Sequence, residues 1–139
     1  MKQEMRKWVC AVCALAGLTG AGGMILSAAS AHLLPDARLQ TSANLMLLHA
    51  VAALALCSLA LAAPRRGIWF ASAAGALLSG SLLFACDMTL RAMVGARLFP
   101  MAAPLGGSLL IFGWIIAALA AVVALRASHN GTDEQKADK

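Results

Sequence analysis

The chain carries four apolar stretches, at residues 8–29, 43–63, 68–86 and 101–125, almost free of charged side chains. Each is near the ~20 residues that an α-helix, rising about 1.5 Å per residue, needs to cross ~30 Å of hydrocarbon. A 139-residue water-soluble fold could not hide so much apolar surface. The bilayer therefore has to serve as solvent for these stretches. Backbone groups must then be paired within each segment, which leaves helices as the spanning form for stretches of this kind. The expected fold is all-α: a four-helix transmembrane bundle of up-down topology, multi-pass, forming one domain over residues 1–126. Residues 127–139 are polar and mixed in charge, and read as a disordered tail.

Composition agrees, with 61% hydrophobic and 12% charged residues. Much of the apolar content is Ala and Gly, which let helix backbones approach closely in lipid. Trp8 and Trp69 open the first and third stretches, where interfacial rings belong. The formal charge of +5 does not point to nucleic acid, because its residues flank the spans. Lys2, Arg6, Lys7, Arg65, Arg66 and Arg126 fall at one side of an up-down bundle; Arg38, Arg91 and Arg97 fall at the other, beside Asp36 and Asp87. Short loops rich in Lys and Arg stay in the cytoplasm, so both termini are expected inside a bacterial inner membrane. Ala29-Ser30-Ala31 resembles a signal-peptidase site, but the preceding apolar run exceeds the usual 7–15 residues of a signal peptide, which favours a retained first helix.

His49 is the first candidate for chemistry, because an ionisable group inside a membrane helix is a functional hypothesis by default. A neutral imidazole bonded to a neighbouring helix is the competing structural role. His32 ends the first span, Asn44 opens the second and Asp87 ends the third, all toward the same side. Together with His49 they define a candidate outward-facing polar pocket. Arg91 stands four residues after Asp87 and pairs with it if the helix continues. Ser79-Gly80-Ser81 reads as a packing element whose hydroxyls bond backbone carbonyls. Pro104, Gly106 and Gly107 mark the start of the fourth span as a place of close backbone approach, and Trp114 reads as a packing residue within it.

Cys10-Ala11-Val12-Cys13 is formally a C-x-x-C element, with Cys57 in the second span and Cys86 at the end of the third. Reactive thiols need an accessible, electropositive setting, which Lys7 near Cys10 keeps in view. Free cysteines otherwise behave as small buried hydrophobes. The Cys and His residues lie at different depths, which argues against zinc. His32 and His49 likewise differ in depth by about 10 Å, a poor match for bis-histidine haem. No metal and no cofactor is expected.

The ordered motifs resemble the YgdD/YwdK family of small bacterial inner-membrane proteins, domain of unknown function 423. The resemblance rests on Ala29-Ser30-Ala31-His32 closing helix one, on His49-Ala50 in helix two and on Ser79-Gly80-Ser81 in helix three. It is completed by Ala103-Pro104-Leu105-Gly106-Gly107 and Gly113-Trp114 in helix four. Ala103 stands where the family tends to have threonine, and Asp87-Met88 where it often has neutral residues. The resemblance implies four inner-membrane helices and supplies no activity.

Three classes of function follow. The first is a non-enzymatic membrane protein, partnered by lipid and packing with itself as a homo-oligomer or with other membrane proteins. The second is a small transporter or channel subunit built around His49. The third is a membrane redox protein. An exporter of cationic drugs lacks the acidic residue it would need in mid-membrane.

Overall fold

The computed structural model describes the backbone of residues 2–63 and 67–137 and the side chains of residues 3–63 and 67–124. Four α-helices make up the described chain: α1, Lys2–His32; α2, Ala37–Ala62; α3, Gly67–Val94; and α4, Ala102–Ala137. All four are long and apolar enough to cross a membrane, the α4 span being Ala102–Ala124. Each of α1 to α3 begins before and, α2 apart, ends after its apolar stretch. The helical ladder satisfies the backbone beyond the hydrocarbon boundary as well as within it. The turn expected from Pro64, Arg65 and Arg66 lies outside the described residues, as do the side chains of the polar tail.

Close contacts fix antiparallel neighbours. A Cβ built on Gly20 of α1 would lie 3.6 Å from the Cβ of Ala50 in α2, and Gly23 faces Leu47 and the Ala43 carbonyl. Gly67 at the start of α3 lies against the Ala60 carbonyl near the end of α2. Gly80 of α3 meets Gly106 of α4, and Gly113 meets Leu77. α3 packs on α2 and α4, while α1 packs mainly on α2 and touches α3.

The helices are unequally covered. In α3, 44% of the apolar window is buried inside the bundle, against 28% in α1 and 17% in α4. α3 is thus the central helix and buries Phe70, Ala73, Ala74, Leu77, Leu78, Gly80, Ser81 and Ala85. α4 buries one narrow stripe, Ala102, Ala103, Gly106, Leu110, Gly113 and Ala120, with Ile116 and Ala117 packed against the core beside it, at the three- and four-residue spacing of a single helix face. Its remaining surface, with Ile111, Phe112, Ile115 and Leu119, is exposed and apolar. Water would penalise such a face and lipid does not, so the unequal coverage is what a membrane solvent permits.

Candidate functional site

The α1–α2 and α3–α4 turns lie at one end of the bundle, and the buried polar groups concentrate there and in the adjoining half. Its local structure begins with Asp36, whose extended backbone (φ −131°, ψ 126°) and side chain cap α2: Oδ1 accepts the Arg38 N–H at 2.7 Å. At the facing helix end, Gly95 has φ +72°, a left-handed conformation that favours glycine, and its N–H bonds the Arg91 carbonyl at 3.2 Å. That reversal carries residues 96–101 back over the end of α3. The Leu98 N–H then donates to Asp87 Oδ1 at 2.9 Å.

Asp87 is fully buried. Its Oδ2 pairs with Arg91 Nη2 at 2.5 Å, one helical turn on. That contact is an ion pair without good hydrogen-bond alignment. Arg38 completes the arrangement by donating from Nη1 to the Arg91 carbonyl at 3.3 Å, so the start of α2 is tied to the end of α3. A buried carboxylate is tolerated here because charge and a backbone N–H both face it.

His49, 12 residues beyond the first residue of α2, is about 18 Å along that helix. It is 3% exposed. Nδ1 lies 2.8 Å from the Leu45 carbonyl, and Trp114 Nε1 donates to Nε2 at 3.4 Å. A proton on Nδ1 and a lone pair on Nε2 satisfy both contacts at once. The two rings meet edge to face with centroids 6.2 Å apart, and they join α2 to α4.

Asn44 is exposed, and its Oδ1 accepts from Gln40 Nε2 at 3.0 Å. Gln40 Oε1 in turn accepts from Ser30 Oγ at 3.0 Å, linking α2 to α1. His32 is exposed at the end of α1. No hydrogen bond or ion pair joins any two of His32, Asn44, His49 and Asp87 among the described residues.

The packing residues are placed as follows. Ser79 Oγ donates to the Gly75 carbonyl, and buried Ser81 Oγ donates to the Leu78 carbonyl at 3.0 Å. A Cβ on Gly80 would come within 2.8 Å of the Gly106 carbonyl, and one on Gly106 within 2.9 Å of the Gly80 carbonyl. Gly113 leaves room for Leu77, whereas Gly107 faces open space. Pro104 lies in the first turn of α4, where the missing N–H costs no helical bond, and is exposed. Trp114 is partly covered by His49 and otherwise exposed.

Sequence reasoning assigned no contact to Ser30, Gln40, Arg38 or the Leu98 N–H. Ser30 and Gln40 are ten residues apart across a turn, so only the helix register could reveal their contact. The Leu98 N–H belongs to the backbone and carries no residue-type signal at all.

A sequence profile for DUF423, a protein family of unknown function, matches residues 26–107. The chain belongs to this family. The DUF423 region runs from the end of α1 into the first turns of α4, and so contains Ser30, Gln40, His49, Asp87, Arg91, Gly80 and Gly106. It stops short of Gly113 and Trp114. No curated protein and no solved structure matches the chain.

Proposed function

We propose that this DUF423 protein is a non-enzymatic protein of the bacterial inner membrane that acts by association, with copies of itself or with another membrane complex. The observation that carries this reading is the use made of the buried polar side chains. Asp87 is held by Arg91 and the Leu98 N–H; His49 by the Leu45 carbonyl and Trp114. Thr19, Ser42 and Ser81 bond carbonyls of their own helices. These groups are used within helices or between them, and among the described residues they leave no nucleophile–base pair aligned for a substrate. The outward faces of α1 and α4 supply the complementary feature, because Ala14, Gly17 and Ala21 of α1 are exposed at helix-face spacing and suit close approach of another helix.

The charge distribution supports an orientation with both termini in the cytoplasm. Reporter fusions at the two ends are expected to signal on the cytoplasmic side; opposite readings would overturn it. Association is tested by crosslinking in native membranes, followed by copurification in native lipid and mass spectrometry. A reproducible oligomer or a stoichiometric partner is the expected result. Monomers alone, with no copurifying protein, would refute the reading.

A transporter or channel subunit is the second reading, favoured by His49 lying buried deep along a spanning helix. On that reading His49→Ala abolishes an uptake phenotype while the protein still inserts. Loss of the inserted protein instead supports the structural role.

A further inference from the structure

The α1–α2 interface keeps a single antiparallel register over most of its length. Ser30 faces Gln40, Gly23 faces Leu47 and Gly20 faces Ala50. In each pair, a step along α1 is matched by an equal step backward along α2. Seven residues, two helical turns, before Gly20 stands Cys13; seven residues after Ala50 stands Cys57. Two turns return each side chain to nearly the same helix face. The register therefore sets these thiols against each other, two turns from the level where a Cβ on Gly20 would lie 3.6 Å from that of Ala50. Disulfides need Cβ atoms about 3.5–4.5 Å apart, a spacing that this same interface offers at Gly20 and Ala50.

The side chains agree with the register. Cys57 is buried in the core cluster with Val9, Val12, Ala53, Leu56 and Ala60, and Cys13 packs against that cluster. The two thiols lie close enough to interact electrostatically. All four cysteines are free. Cys10, the other half of the C-x-x-C element, is exposed, and its place in the register is opposite Ala60, which offers no sulfur. Cys86 is exposed at the other end of the bundle. The sequence element thus misdirects attention: Cys13 has its thiol partner across the helix interface.

We propose that Cys13 and Cys57 are a redox-reversible pair whose disulfide locks α1 to α2. The oxidant is a low-molecular-weight disulfide, RSSR. The Cys13 thiolate attacks one of its sulfurs, forming Cys13–S–S–R and expelling RS⁻. The Cys57 sulfur then attacks the Cys13 sulfur, forming the Cys13–Cys57 bond and expelling the second RS⁻. Two protein thiols lose two electrons and two protons; RSSR gains them and leaves as two RSH. A dithiol reductant reverses the exchange. Cys13, half-buried beside exposed Cys10, is the accessible member of the pair, and Cys57 is the resolving one.

The test uses the full chain in native-lipid discs, oxidised with diamide, which removes the same two electrons and two protons and leaves no mixed disulfide. Free thiols are then blocked in denaturant, the protein is reduced, and newly released thiols are counted with a mass-tagged maleimide. Two tags are expected on the oxidised chain and none on the untreated one. Cys10→Ser and Cys86→Ser should keep both tags, whereas Cys13→Ser and Cys57→Ser should lose them. Peptide mass spectrometry of the oxidised native sequence should join the segments containing Cys13 and Cys57, a readout that needs no variant to fold. The proposal is overturned by an oxidised chain with no protected thiols, by loss of the tags in Cys10→Ser, or by covalent dimers in place of the internal link.

Discussion

The α1–α2 and α3–α4 hairpins solve the same packing problem differently. Along α1–α2, most contact is made by side chains in register, Ser30 on Gln40, Gly20 beside Ala50 and Cys13 against Cys57, with backbone approached at Gly23, which faces the Ala43 carbonyl. Along α3–α4, backbone meets backbone at Gly80 and Gly106, while Gly113 receives the Leu77 side chain. Gly80 and Gly106 each sit within van der Waals reach of the other's carbonyl, and the Asp87 ion pair anchors the connecting turn. A side-chain interface can adjust by changing rotamers. A backbone interface can adjust only by moving a helix, and so tolerates far less. The α3–α4 hairpin should accordingly be the brittle half of the molecule.

The largest test of that contrast is the turn. Arg91→Ala leaves the fully buried Asp87 carboxylate without its cation, and breaking a buried pair in this way typically costs about 3–5 kcal/mol. Asp87→Ala should cost less, because Arg91 is 21% exposed and can turn its guanidinium toward water or headgroups. Thermal unfolding of both variants in one detergent checks the order; equal losses would mean that the two charges are equally trapped. Next in size is Gly80→Ala or Gly106→Ala. A new Cβ would stand 2.8 Å from the Gly106 carbonyl or the Phe84 nitrogen respectively, and separating the helices should cost about 1–3 kcal/mol. The smallest effect belongs to the other hairpin. At Gly20→Ala the new methyl meets Ala50 at the ordinary distance of 3.6 Å, and alanine has the better helix propensity, so unfolding should shift by less than about 1 kcal/mol. A Gly20→Ala loss as large as that of Gly80→Ala would erase the distinction between the hairpins.

Particular residues show where reading the sequence reaches its limit. The Asp87–Arg91 pair was legible because i, i+4 spacing is local to one helix. The Leu98 N–H that shares Asp87 was not, since it depends on how Gly95 turns the chain. Gly106 and Gly107 look alike in sequence, yet one lies against Gly80 and the other faces open space. Consecutive helix residues point about 100° apart, so only one of the two can face α3. The proposed grouping of His32, Asn44, His49 and Asp87 rested on depth alone. Depth does not specify which face of a helix a residue occupies, and among the described residues no hydrogen bond or ion pair joins any two of the four.

By itself the sequence determined the solvent, the secondary structure and the number of spans, because apolar length and the need to pair backbone groups act segment by segment. It also placed the chain in its family through motifs that keep their order. The tertiary structure alone decided which helix is central, that His49 answers to Trp114, and that Cys13 faces Cys57 across the interface with α2. Those facts depend on the rotation and register of one helix against another, which are set by the fit of whole surfaces.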